Sequence, residues 1–213
     1  MIKTITLFLL LILGNCLYGQ TYIGLFGGIN SSKLSGDNPI SAKYKSLIGA
    51  NFGANIDVKL TNSIYLSLQP SYNQEGSKVS YTISGYDEPI DSLKIQLNYF
   101  SLPLLLKMSS DNERFYAIAG IETGFLQSSY VKSHDLKESA IQMDVLQFNI
   151  AVHFGVGLRI PIGFPRLFTE LRYSQGIINL TDEPLSNNII PRVKTSGFKL
   201  LVGIEFPLKK SSK

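Results

Sequence analysis

Residues 145–160 read VLQFNIAVHFGVGLRI, in which Leu146, Phe148, Ile150, Val152, Phe154, Val156, Leu158 and Ile160 alternate with Val145, Gln147, Asn149, Ala151, His153, Gly155, Gly157 and Arg159. A period of two sends the sets to opposite faces of one extended strand. One face is wholly apolar over roughly 50 Å, at about 3.3 Å per residue. The other carries amide, imidazole and guanidinium groups. Globular strands usually stop at about 5 or 6 residues, so length as well as alternation needs an explanation.

The pattern returns in residues 47–60, where Ile48, Ala50, Phe52, Ala54, Ile56, Val58 and Leu60 oppose Leu47, Gly49, Asn51, Gly53, Asn55, Asp57 and Lys59. It returns in residues 198–207, where Phe198, Leu200, Val202, Ile204 and Phe206 oppose Lys199, Leu201, Gly203, Glu205 and Pro207. A membrane-crossing strand needs about 9 to 11 residues with lipid-facing and lumen-facing positions alternating. All three segments meet that requirement. The expected fold is all-β, an eight-stranded antiparallel up-and-down transmembrane β-barrel in the outer membrane.

The spacing of turn residues places the strands at about 22–30, 46–60, 64–73, 95–108, 115–130, 144–160, 167–174 and 196–207. Their links alternate strictly. Those at 31–45, 74–94, 131–143 and 175–195 are long, and those at 61–63, 109–114 and 161–166 are short. Short periplasmic turns and long extracellular loops give that alternation and put both termini on the periplasmic side. A bulge is expected near Pro103, which cannot donate to a ladder.

Residues 1–19 have a basic start at Lys3, an apolar run over 5–13 and a small, polar exit, the layout of a cleaved signal peptide with the barrel at 20–213. Too few apolar residues are present for a helix that spans a bilayer. The single cysteine, Cys16, falls inside this leader, and Asn15 before it is larger than a lipoprotein site prefers. The mature chain then has no thiol for disulfide or nucleophilic chemistry. Charged residues are 17% of the chain and hydrophobic ones 44%, where an ordinary soluble protein has about 25% charged residues. Removing Lys3 takes the net charge from +4 to +3, too slight a basic excess for nucleic acid.

A lysine facing lipid at mid-bilayer would cost about 2 to 4 kcal/mol. That cost sends Lys107 inward and Phe100, Leu102, Leu104 and Leu106 outward. The same argument turns Glu122 inward, with Phe115, Ala117, Ala119, Ile121, Thr123 and Phe125 outward, and turns Glu170 and Arg172 inward, with Leu167, Thr169, Leu171 and Tyr173 outward. The inward charges are then Asp57, Lys59, Lys107, Glu122, Arg159, Glu170, Arg172, Lys199 and Glu205. An eight-stranded barrel is just wide enough for side chains to fill it. The expectation is a lumen charge network of Glu122, Arg159, Glu170, Arg172, Lys199 and Glu205 that plugs the barrel.

No catalytic, cofactor-binding or metal site is expected. Only His134 and His153 exist, too few for a closed zinc site without cysteine. His134, between Ser133 and Asp135, sits in a loop, where adjacent residues make no relay. His153 points into the lumen, where a polar neighbour accounts for it. A barrel hydrolase would need one of them to meet a carboxylate and a nucleophile in one cleft. Asp87, Glu88 and Asp91 read as a solvated surface before a calcium site. Gly24, Gly27 and Gly28 lie in a strand and form no phosphate cradle. Asp91, Ser92 and Leu93 match a three-residue glycosylation motif, too short to carry weight.

The segments YIGLFGGINSSKLSGD at 22–37, LSLQPSYNQEG at 66–76, LNYFSLPLLLKM at 97–108 and FGVGLRI at 154–160 together resemble the PorT-like small outer-membrane β-barrel proteins of Bacteroidota. The resemblance implies fold and location and carries no catalytic motif. One member of that family has a role in protein secretion; most resemble it in fold only. The expected function is a non-enzymatic barrel, structural or partner-binding through its extracellular loops. Its partners would be outer-membrane lipid, the insertion machinery through Phe206, and an envelope protein at loops 74–94 and 175–195. A transport or secretion accessory is the alternative, and a soluble lipocalin-like barrel is the rival fold.

Overall fold

A computed structural model of the chain describes residues 20–36, 42–81, 90–133, 146–163, 165–180 and 192–208. Residues 1–19, expected to be a signal peptide, and Asp87, Glu88, His134 and Asp135 lie outside the described residues, as do the side chains of Asp91 and Ser133.

Among the described residues nine antiparallel segments form one closed ring: β1 Thr21–Gly36, β2 Ala42–Lys59, β3 Ile64–Leu68, β4 Ser71–Tyr81, β5 Ile90–Ser109, β6 Phe115–Ser133, β7 Phe148–Pro161, β8 Arg166–Gly176 and β9 Val193–Pro207. Consecutive segments pair except β3 with β4, and β1 closes the ring on β9 from Tyr22 opposite Pro207 to Gly36 opposite Val193. β3 and β4 are one strand. Both lie between β2 and β5 in a single register, with Leu68 opposite Leu104 and Ser71 opposite Ser101. The barrel is therefore eight-stranded, and the third strand expected at 64–73 is interrupted at Gln69 and Pro70.

That interruption accounts for the absence of a bulge at Pro103. The register passes it without a slip, Leu102 opposite Thr123 and Leu104 opposite Ile121. Pro103 turns its hydrogen-bonding edge to the break, where its carbonyl accepts from Gln69 N at 3.0 Å. Pro70 faces β2, its carbonyl accepting from Ala54 N at 3.0 Å. Each proline thus forfeits a ladder donor to a different neighbour, beside a ladder already interrupted. Register slips occur nearer the extracellular end, between Ser46 and Asn51, Val79 and Ser80, and Asn98 and Tyr99.

The short turns fall where expected, but the strands run further at the other end. β4 extends to Tyr81 and β5 begins at Ile90, so much of the expected loop 74–94 is wall. β7 begins at Phe148 instead of 144.

The outward face is apolar. Leu25, Ile48, Phe115, Phe154, Val156, Phe198 and Val202 are each more than half exposed, while the alternate residues Tyr22, Phe26, Asn51, Asp57, His153, Arg159 and Lys199 are buried. A lipocalin-like barrel would reverse those faces. Outward aromatics mark the upper edge of the lipid-facing band. Phe52, Tyr72, Phe100, Phe125 and Phe148 are direct cross-strand neighbours on five adjacent strands, and the Phe52–Tyr72 and Phe125–Phe148 rings lie 5.1 and 5.5 Å apart. From Phe115 to Phe125, ten residues along β6, a strand tilted about 40° rises roughly 25 Å, the height of an outer-membrane apolar band.

Candidate functional site: the charged lumen

Lumen-facing glycines make room for rings. Tyr116 lies opposite Gly157 and Phe168 opposite Gly203. A Cβ on Gly157 would fall 2.2 Å from the Tyr116 ring, and one on Gly203 would fall 2.4 Å from the Phe168 ring. Those rings fold across bare backbone and floor the charged centre.

The charges gather in two clusters. Towards the periplasm, Lys107 Nζ lies 2.8 Å from Asp57 Oδ2 and 3.0 Å from Glu170 Oε1. Arg159 spans Asp57 at 3.2 Å and Glu205 at 3.1 Å and donates to Ser109 Oγ at 3.0 Å. Its guanidinium sits 4.6 Å from the Tyr65 ring centre and 4.3 Å from that of Tyr116, a stacked arrangement that suits its planar group. Tyr116 OH donates to Glu170 at 2.8 Å, and Ser67 Oγ donates to Asp57 at 2.6 Å. Arg172 pairs with Glu170 and donates to Gln69 Oε1 at 2.6 Å. At the rim, Arg166 reaches Glu205 at 3.0 Å and Glu113 at 3.4 Å, and Lys59 meets Glu113 at 2.5 Å.

The second cluster lies towards the cell exterior. Glu122 accepts from Lys199 Nζ at 2.9 Å and from Ser101 Oγ at 3.0 Å, and His153 Nε2 lies 3.0 Å from it without hydrogen-bond alignment. Glu75 lies 3.7 Å from Lys199 and accepts from Asn73 at 2.7 Å. Asn73 in turn accepts from Asn30 and Asn51 at 3.2 and 3.1 Å. Above them Leu34, Leu97, Tyr99, Leu180 and Val193 form a buried apolar cluster.

The six residues expected to form one network are thus divided. Arg159, Glu170, Arg172 and Glu205 share the lower cluster with Asp57 and Lys107, while Glu122 and Lys199 belong to the upper one with His153. Lys59 stands at the rim. Glu75 is a lumen residue that sequence reasoning assigned to a loop. Its signal was the continued alternation of Asn73, Glu75, Ser77 and Val79, all buried.

Ser101 and His153 both address Glu122, which places the carboxylate between hydroxyl and imidazole. A hydrolytic relay needs the imidazole in the middle. His153 itself is fully buried.

Residues 19–182 match the family described as outer membrane protein beta-barrel domain. The chain belongs to that family. Its members are outer-membrane β-barrels, and the outward apolar face and closed ring of this one are what that membrane requires. Among solved structures it is similar to Ail, the attachment invasion locus protein of Yersinia pestis, with 16% identity and a TM-score of 0.47 over 88% of this chain and 99% of that one. It is also similar to the outer membrane protein OprG from Pseudomonas aeruginosa, with 13% identity and a TM-score of 0.48 over 89% and 96%. None of the curated proteins matches.

Proposed function

We propose that this protein is a non-conducting, non-enzymatic outer-membrane barrel that acts through its surfaces. The observation that carries this reading is the filled lumen. Asp57, Lys107, Arg159, Glu170, Arg172, Lys199 and Glu205 are each at most 2% exposed and ion-paired inside it. A solute path would have to pass Arg159, Arg172 and Glu205, and opening it would break buried pairs at about 3 to 5 kcal/mol each.

In this reading residues 1–19 are an export leader, the chain is a PorT-like barrel of Bacteroidota, and the insertion machinery takes it through the strand that carries Phe206. An envelope partner would meet the connections around 82–89 and 177–192. The test is conductance of the purified, refolded barrel in a planar bilayer. A heat-modifiable, folded barrel without current steps is expected. Reproducible steps that change on Arg159→Ala would overturn the plug and favour transport.

A further inference from the structure

The wall continues above the aromatic row, and what it carries there is unlike the lipid-facing band. Gln74, Asn98 and Ser128 occupy direct cross-strand positions on β4, β5 and β6. They form an outward polar ladder: Gln74 Nε2 donates to Asn98 Oδ1 at 3.4 Å, Gln96 Nε2 to the same oxygen at 3.3 Å, and Asn98 Nδ2 to Ser128 Oγ at 2.9 Å.

Four residues higher on β4 and β5, the register sets Lys45 of β2 opposite Lys78 of β4 and Lys78 opposite Lys94 of β5. Lys45 and Lys78 are exposed and Lys94 is partly so, while Ser77 and Val79 beside Lys78 are buried, which fixes the lysine row on the outer face. Like charges directly opposite one another destabilise a sheet. Elsewhere at this height the chain avoids the arrangement, with Lys33 opposite Ser196 and Lys194 opposite Ser35.

We infer that this lysine row, with the amide ladder below it, is a binding site for the phosphate groups of outer-leaflet lipopolysaccharide. The height fits. Six residues separate Phe100 from Lys94, which is about 20 Å along the strand and roughly 15 Å above the edge of the hydrocarbon once tilt is included. That is the depth of phosphates and saccharides, and side chains on the outer wall extend sideways into it. Asn98 is buried at the centre of the ladder, and the partly exposed Gln74, Gln96 and Ser128 around it, between aromatics and lysines, suit sugar hydroxyls. A soluble polyanion would have to cross the saccharide layer to reach the same row.

The test uses the full mature barrel refolded in phosphatidylcholine vesicles with and without lipopolysaccharide, with the urea midpoint read from heat-modifiable gel mobility. Two charge-matched double variants are compared, Lys78→Gln with Lys94→Gln in the row, and Lys33→Gln with Lys194→Gln outside it. In phosphatidylcholine alone the row variant should fold with a midpoint equal to or above wild type, because repulsion is relieved. Lipopolysaccharide should raise the midpoint of wild type and of the off-row variant, and the row variant should need about tenfold more lipopolysaccharide for the same shift. Equal responses in all three proteins would overturn the proposal, as would equal loss in the two variants. A shift of wild type by inositol hexakisphosphate as large as that by lipopolysaccharide would overturn the choice of a lipid ligand.

Discussion

Lys199 shows what a single lumen residue contributes. Its ammonium is 1% exposed and serves both Glu122 and Glu75. Lys199→Met leaves two buried carboxylates with His153, the Ser101 hydroxyl and amides but no lysine partner, and removing one partner of a buried pair costs about 3 to 5 kcal/mol. We expect a urea midpoint well below wild type. Adding Glu122→Gln should restore part of the loss, and a double-mutant cycle measures the coupling. Outward residues answer to a different solvent. Val152 lies opposite Ile121 near the middle of the lipid-facing band, and Val152→Arg should cost about 2 to 4 kcal/mol there; loss of the heat-modifiable band from the membrane fraction is the expected readout. Both facings follow from alternation and the cost of a charge in lipid, which is why Lys107, Glu122, Glu170 and Arg172 were legible in the sequence. Which charge meets which was not legible. Pairing across a lumen depends on shear and on side-chain reach, neither of which a period of two records.

At the scale of the element, β6 and β7 are held by a ring lying on a glycine. Gly157→Ala puts a methyl group into the Tyr116 ring and would displace the hydroxyl that donates to Glu170. Overpacking of this kind costs about 1 to 3 kcal/mol, and Tyr116→Leu in the same background should relieve the clash, as urea unfolding will show. The turn between β5 and β6 holds Glu113 in the left-handed region, at a φ of 55°. There the ion pairs with Lys59 and Arg166 oppose the cost of that conformation. Burial alone would raise the Glu113 carboxyl, but the hydrogen bond from Lys59 and the two cations outweigh it and hold the group below its ordinary value. A carboxyl held low in the folded state adds stability above its unfolded pKa and loses it as the pH falls through the folded value. Between the ordinary value of 4.5 and lower pH, wild type should lose slightly more stability than Glu113→Gln, a small difference because the pair is partly solvated. Strand ends were the least legible part of this scale. The extensions of β4 and β5 carry Gln74, Lys78 and Lys94, which read as loop because their outer face meets neither lipid nor a core.

The whole molecule was legible in its class: three long alternating segments and the rhythm of short and long links lead to a closed eight-stranded ring, and the family match agrees. The broken third strand was less visible, since Pro70 and Pro103 matter only once the register sets them on facing strands. The distances in sequence across the lumen have a consequence for when the protein takes shape. Asp57 waits for Lys107, 50 residues later, and for Arg159, 102 residues later, while Asn55 reaches Glu205 across 150 residues. Loop closure must come before such contacts contribute. A half-built wall would hold unneutralised charge beside lipid. The ring should therefore close late and in a single concerted step, after β9 arrives. Until then the lumen charges keep their water, and the last of them to meet act as the latch that ends assembly.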